Sequence, residues 1–116
     1  MRLLAKGACV TPGVVVGKSR IINSVEDLDK ITNGDVIVLP RSDPQYALGL
    51  YKAGAVICEM GGVLSHLCIV SMEMGIPCIT QTPEARKLIP DDTFVFVDAA
   101  NGEVSLYTNE TEEKAE

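Results

Sequence analysis

The apolar positions of this chain fall into short blocks of two kinds. The runs in "DVIVLP" (35–40) and "AVICE" (55–59) are apolar at nearly every position, whereas Phe and Val alternate in "TFVFVD" (93–98). Continuous apolar runs of this length suit strands buried on both faces, as in a sheet with parallel pairing between helices. Residues 4–22, "LAKGACVTPGVVVGKSRII", are rich in β-branched residues and broken by Gly7, Pro12-Gly13 and Gly17. That pattern predicts two or three short strands joined at a tight turn, with a bulge at Gly17.

Polar punctuation places helices between the strands. "SVEDLDKI" opens on Ser24 with acids in its first turn, and Asn33-Gly34 then marks a turn. In "SDPQYALGLYKAG" (42–54), Ser42 or Asp43 can cap, Pro44 fits the first helical position and Gly54 the stop. A further helix is predicted from Ser65 to Met74, with Leu67, Val70 and Met74 as its core face, closed by Gly75 and Pro77. "CIT" (78–80) is a short strand, and "TPEARKLIP" opens a helix with Thr82 as cap. Asn101-Gly102 turns the Phe/Val strand back into "EVSLYT" as a hairpin. The expected fold is α/β: a partly parallel central sheet, helices, and a second strand layer built from the N- and C-terminal strands.

Composition narrows the function classes. At 116 residues there is room for one domain, expected over 1–107. Net charge is −6, and the last nine residues (108–116) hold four Glu and one Lys. That segment reads as a solvated, disordered acidic tail, and the absence of a basic patch argues against nucleic acid. The four cysteines, Cys9, Cys58, Cys68 and Cys78, form no CxxC pair, so a metal site is not expected. Each is flanked by apolar residues, as buried thiols in a reducing cytoplasm would be. No apolar run is long enough to span a bilayer. A cytoplasmic protein without a membrane partner is expected.

The single histidine, His66, follows "GGVLS". Gly61 and Gly62 allow a sharp turn and close approach. Ser65 then caps a helix whose first-turn N–H groups are unpaired and favour an anion, phosphate above all. An unprotonated imidazole nitrogen is a nucleophile. Strand, Gly-Gly, Ser65 and His66 together suit a histidine that takes up a phosphoryl group. They also suit a plain tight turn with a capping serine, and local sequence alone leaves both readings open.

The longer stretch "GGVLSHLCIVSMEMGIPCI" (61–79) resembles the signature of the mobile, swivelling phosphohistidine domain of phosphoenolpyruvate-utilising enzymes, the family of phosphoenolpyruvate synthase, pyruvate phosphate dikinase and enzyme I. Gly61, Gly62, Ser65, His66, Ile69, Val70, Glu73, Gly75, Ile76 and Pro77 match its pattern. Thr11-Pro12-Gly13, Ser42-Asp43-Pro44 and the closing "DDTFVFVDAANGEVSLY" resemble flanking family features in the right order. Leu64 stands at the usual Thr, and Ser71-Met72 at the usual Ala-Arg.

The resemblance implies a three-layer β/β/α swivelling fold in which His66 accepts a phosphoryl group and passes it on. Gly61, Gly62 and Ser65 would shape the turn and contact the phosphate, and Ser42 is a candidate for the rim. The chain is too short for the ATP- and phosphoenolpyruvate-binding domains that accompany this one in the family. A stand-alone domain is therefore expected, binding no cofactor alone. Mg with ATP, or phosphoenolpyruvate, would lie on separate ATP-grasp-like or phosphoenolpyruvate-binding partners. The rival reading is a non-catalytic binding or regulatory module that kept the fold and lost the transfer.

Overall fold

A computed structural model describes residues 1–108; the acidic segment expected over 108–116 therefore lies outside the described residues apart from Thr108. Among the described residues there are eight strands: β1 Arg2–Lys6, β2 Ala8–Thr11, β3 Val14–Ile21, β4 Val36–Arg41, β5 Ala55–Met60, β6 Cys78–Thr80, β7 Phe94–Asp98 and β8 Glu103–Leu106. Two α-helices, α1 His66–Met74 and α2 Ala85–Leu88, are joined by 3-10 helices at Val25–Lys30, Pro44–Tyr51 and Ala99–Asn101.

The strands form one mixed sheet in the order β1-β8-β7-β3-β4-β5-β6-β2. β3 belongs to two parts of it. Its first half, Val14–Lys18, pairs antiparallel with β7, and Ser19–Ile21 pair parallel with β4. β4, β5 and β6 run parallel, and β2 closes the far edge antiparallel to β6. The β1-β8-β7 portion, made of chain-terminal strands, is the second strand layer expected from the sequence.

Side-chain alternation along β4 and β5 explains their all-apolar runs. Val36, Val38, Ala55 and Ile57 face the strand layer, packing on Val95, Val97, Val104 and α2's Ala85. Ile37, Leu39, Val56 and Cys58 face the helices, packing on Tyr46, Leu50, Leu67 and Cys68. The central strands are thus apolar on both sides because both sides are covered. This is a β/β/α layering.

Several local expectations change. Gly17 is no bulge, since it stays in register opposite Val95. It is a close approach: a Cβ there would lie 2.5 Å from the Gly34 carbonyl oxygen. The register shifts fall instead at Leu3/Ala5 and Cys9/Thr11. Pro40 does not end β4, which runs on to Arg41. Val38 O accepts the Ile22 N–H, and Pro40, two residues on, faces the same side where β3 has already ended, so its missing donor costs nothing.

The helix expected from residue 44 is 3-10, capped by Asp43, whose carboxylate accepts the Gln45 N–H at 3.1 Å. It ends at Tyr51, with Lys52 as its C-cap, rather than at Gly54. α2 starts only at Ala85, after Glu84 at φ 58°, so Thr82 is not its side-chain cap. Thr82 is buried, and its hydroxyl donates to Thr80 O. Among the described residues no helix is long and apolar enough to cross a membrane.

Candidate functional site

Parallel strands deliver their ends to one edge of the sheet, the edge where open α/β sheets bind ligands. Here β4 ends in Arg41 and Ser42, β5 in Met60 and the glycine pair, and β6 in Thr80, with α1 starting beside them. The turn into α1 requires one of its two glycines. Gly61 has φ 137°, and a Cβ on it would stand 2.8 Å from Ser42 Cβ. Gly62 has open space around it and an unstrained φ.

Ser65 sits at the cap position in extended conformation, and Ile69 N–H makes the first helical bond to its carbonyl at 2.9 Å. Its hydroxyl does not cap the helix, however; it donates to Gly62 O at 2.6 Å. The acceptor for the Leu67 N–H is Ser42 Oγ, at 2.9 Å. Ser42, expected to cap its own helix or line the rim, leaves that cap to Asp43 and bonds to α1. At the other end Gly75, in left-handed conformation, stops the helix, and Ile76 N–H closes on Ser71 O at 2.9 Å.

His66 is the first residue of α1, and its side chain is exposed with no hydrogen-bond partner among the described residues. The strand end, loop and helix that carry it expose apolar side chains as well: Leu64 at 79%, Met60 at 69%, and Val63, Ile69 and Met72 near 38–39%. Arg41 and Arg86 also lie at this edge, but both are engaged. Arg41 Nε donates to Asp43 at 3.3 Å, and Arg86 pairs with Glu59 at 3.1 Å while donating to Asn23. The buried face of α1 is Leu67, Cys68 and Ser71, with Val70 half-buried. Met74 is exposed, unlike its expected place in the core.

Three thiols lie beneath this first turn. Cys58, Cys68 and Cys78 are fully buried and unoxidised, and Cys9 is half-buried. The neighbouring Cys58, and then Cys78, hold the Cys68 thiol below the ordinary thiol range, against the pull of burial. Their proximity to Cys68, reinforced by burial, pushes Cys58 and Cys78 up.

The sequence reading missed Thr80. Its hydroxyl donates to Gly61 O at 2.8 Å, although the side chain is fully buried. A polar residue ending an otherwise apolar strand was the available signal. Two signature segments also meet in space: a Cβ on Gly13, at φ 145°, would lie 2.6 Å from the Pro77 ring.

Residues 31–102 match the family described as PEP-utilising enzyme, mobile domain. The phosphoenolpyruvate synthase of Pyrococcus furiosus is 34% identical over 120 residues, which cover 98% of this chain and 15% of that protein. The chain therefore spans a small part of its curated relative. Among solved structures, Thermococcus kodakaraensis aconitase X superposes with a TM-score of 0.67 at 19% identity, covering 90% of this chain and 98% of that one. An enzyme I structure gives 0.60 at 18% identity over 81% of this chain and 37% of its own. These two likenesses concern the fold. The family match and the identity to phosphoenolpyruvate synthase go further, and by them this chain belongs to the PEP-utilising enzyme mobile domains.

Proposed function

We propose that this chain is a phosphoryl carrier in which His66 accepts a phosphoryl group at one partner site and delivers it at another. The observation that carries the reading is the placement of His66. An exposed imidazole with no internal partner sits on the first residue of a helix whose loop is held to the ends of three parallel strands. An imidazole nitrogen lone pair attacks phosphorus, a P–N bond forms, and the donor's P–O bond breaks with its electron pair left on the departing oxygen. With phosphoenolpyruvate that oxygen becomes the enolate of pyruvate, which takes a proton from solvent. The reverse step returns the group to an acceptor oxygen. The domain's part is positioning, which is most of what phosphoryl transfer asks of a protein. Donor, acceptor and Mg would be held by ATP-grasp-like and phosphoenolpyruvate-binding partner sites.

A second reading is a binding or regulatory module without transfer. It is favoured by the exposed Leu64 and Met72, which offer a phosphate neither hydroxyl nor cation, and by the engagement of both nearby arginines with carboxylates. The two separate by labelling. The protein is incubated with labelled phosphoenolpyruvate, or labelled ATP, and a phosphoenolpyruvate synthase whose own mobile domain has been removed. The carrier gains acid-labile, base-stable label, and His66→Gln, folded to the same extent, gains none. Absence of label with both donors overturns the carrier in favour of the binding module.

A further inference from the structure

We propose that Ser42 is the positioning residue for His66, supplying from the end of β4 the helix cap that α1's own serine does not provide. This deepens the carrier reading and rests on it for its consequence, though not for its geometry.

Ser65 occupies the cap position, yet its hydroxyl is committed to Gly62 O at 2.6 Å. A cap oxygen normally accepts from the second or third helical N–H. The second here is Leu67, and its N–H lies 2.9 Å from Ser42 Oγ, across 25 residues of chain. Ser42 is itself fixed, because its N–H donates to Met60 O at 3.0 Å and joins the ends of β4 and β5. That bond brings Ser42 Cβ against the backbone of Gly61, where only glycine fits. From the opposite side Thr80 Oγ1 donates to Gly61 O at 2.8 Å.

The glycine turn and the first turn of α1 are therefore clamped by two hydroxyls from neighbouring strand ends. The orientation of His66 depends on the sheet as well as on the loop's own residues. Removing Ser42 Oγ leaves the Leu67 N–H without its side-chain acceptor and loosens the turn one residue from the imidazole. For in-line transfer to a docked phosphoryl donor, misplacement of about 1 Å costs on the order of 100-fold.

The test uses Ser42→Ala, with Ser42→Thr as the conservative replacement that keeps the acceptor. Should the alanine variant fail to fold, Ser42→Cys keeps the volume and weakens the acceptor. The first readout needs no phosphate: amide hydrogen exchange at Leu67 in the free protein. Exchange should rise by about tenfold or more in Ser42→Ala, return in Ser42→Thr, and stay unchanged at core amides such as Val38 and Ile57. The second is transfer with the truncated synthase. Here kcat should fall by about 10- to 100-fold with the KM for the donor protein nearly constant, and Ser42→Thr should restore it. Unchanged Leu67 exchange, or transfer by Ser42→Ala at the parent rate, overturns the proposal. If the parent protein takes no label, the carrier reading fails by itself, and the exchange measurement still decides whether Ser42 holds the helix.

Discussion

Gly61 and Gly62 stand side by side in the same loop and are glycine for different reasons. Gly61 is required by the chain itself: its φ of 137° is one that side chains rarely adopt, and Ser42 fills the space a Cβ would need. Among the described residues, nothing beyond its chain neighbours stands within 4 Å of a Cβ at Gly62. Its missing side chain leaves open surface a few residues from His66, which suits the approach of a partner or a phosphoryl donor. Gly61→Ala should lose about 1 to 3 kcal/mol in a urea melt. Gly62→Ala should keep its stability within about 0.5 kcal/mol and, on the proposed carrier function, lower phosphoryl uptake. Equal loss of stability in the two variants would make both purely architectural. The Gly-Gly pair was visible in the sequence, but the difference between its members was not, because it depends on a residue from another strand end.

Elements are positioned by close backbone contacts as much as by their own signals. The Gly34 carbonyl oxygen would lie 2.5 Å from a Cβ on either Gly17 or Gly54, so β3 and the entry to β5 both close on one peptide group. Gly17→Ala should destabilise by about 1 to 3 kcal/mol although its strand geometry is ordinary, and a melt unchanged from the parent would refute this. A different kind of signal sits at the 3-10 helix Val25–Lys30. The Asp27 carboxylate accepts the N–H groups of Asn23 and Ser24 and pairs with Lys30. The Asn23 bond first, then Lys30, hold its carboxyl below the ordinary value of 3.8. A lowered carboxylate pKa contributes stability that is present above pH 3.8 and disappears as pH falls through the lowered value. Asp27→Asn should therefore melt below the parent at pH 7, by a capping loss of about 0.5 to 1 kcal/mol, and the gap should close on acidification. A gap independent of pH would assign the loss to packing.

On the scale of the whole molecule, the edge that presents His66 is apolar at its rim and has its nearby cations already paired. Met60, Val63, Leu64, Ile69 and Met72, on the strand end, loop and helix around this edge in sequence, are all exposed. A face of this kind suits contact with a partner surface through apolar area rather than through net charge. Leu64, at 79% exposure, can be changed without touching the core. On the proposed carrier function, Leu64→Asp should raise the KM for a donor protein several-fold with the melting temperature unchanged. Should KM stay the same, the contact lies elsewhere. The three layers serve this edge: two packed cores on either side of β4 and β5 make a stiff base, and the loop bearing the histidine is bonded to that base.

What the sequence determined by itself is what neighbours along the chain decide. The all-apolar runs of β4 and β5 implied strands covered on both faces. Gly75-Ile76-Pro77 marked the end of α1, and the spacing from Gly61 to His66 marked the candidate chemistry. Only the tertiary structure decided which polar group meets which. Ser42 serves α1 rather than the helix that follows it, Ser65 turns inward to Gly62, and Thr80 reaches back 19 residues to Gly61. A hydroxyl takes the acceptor or donor that folding brings within about 3 Å, and several such partners are available to every serine or threonine near a turn. Hydrophobic periodicity is a property of one segment, whereas the cap of α1 belongs to two segments that meet only once the sheet has formed.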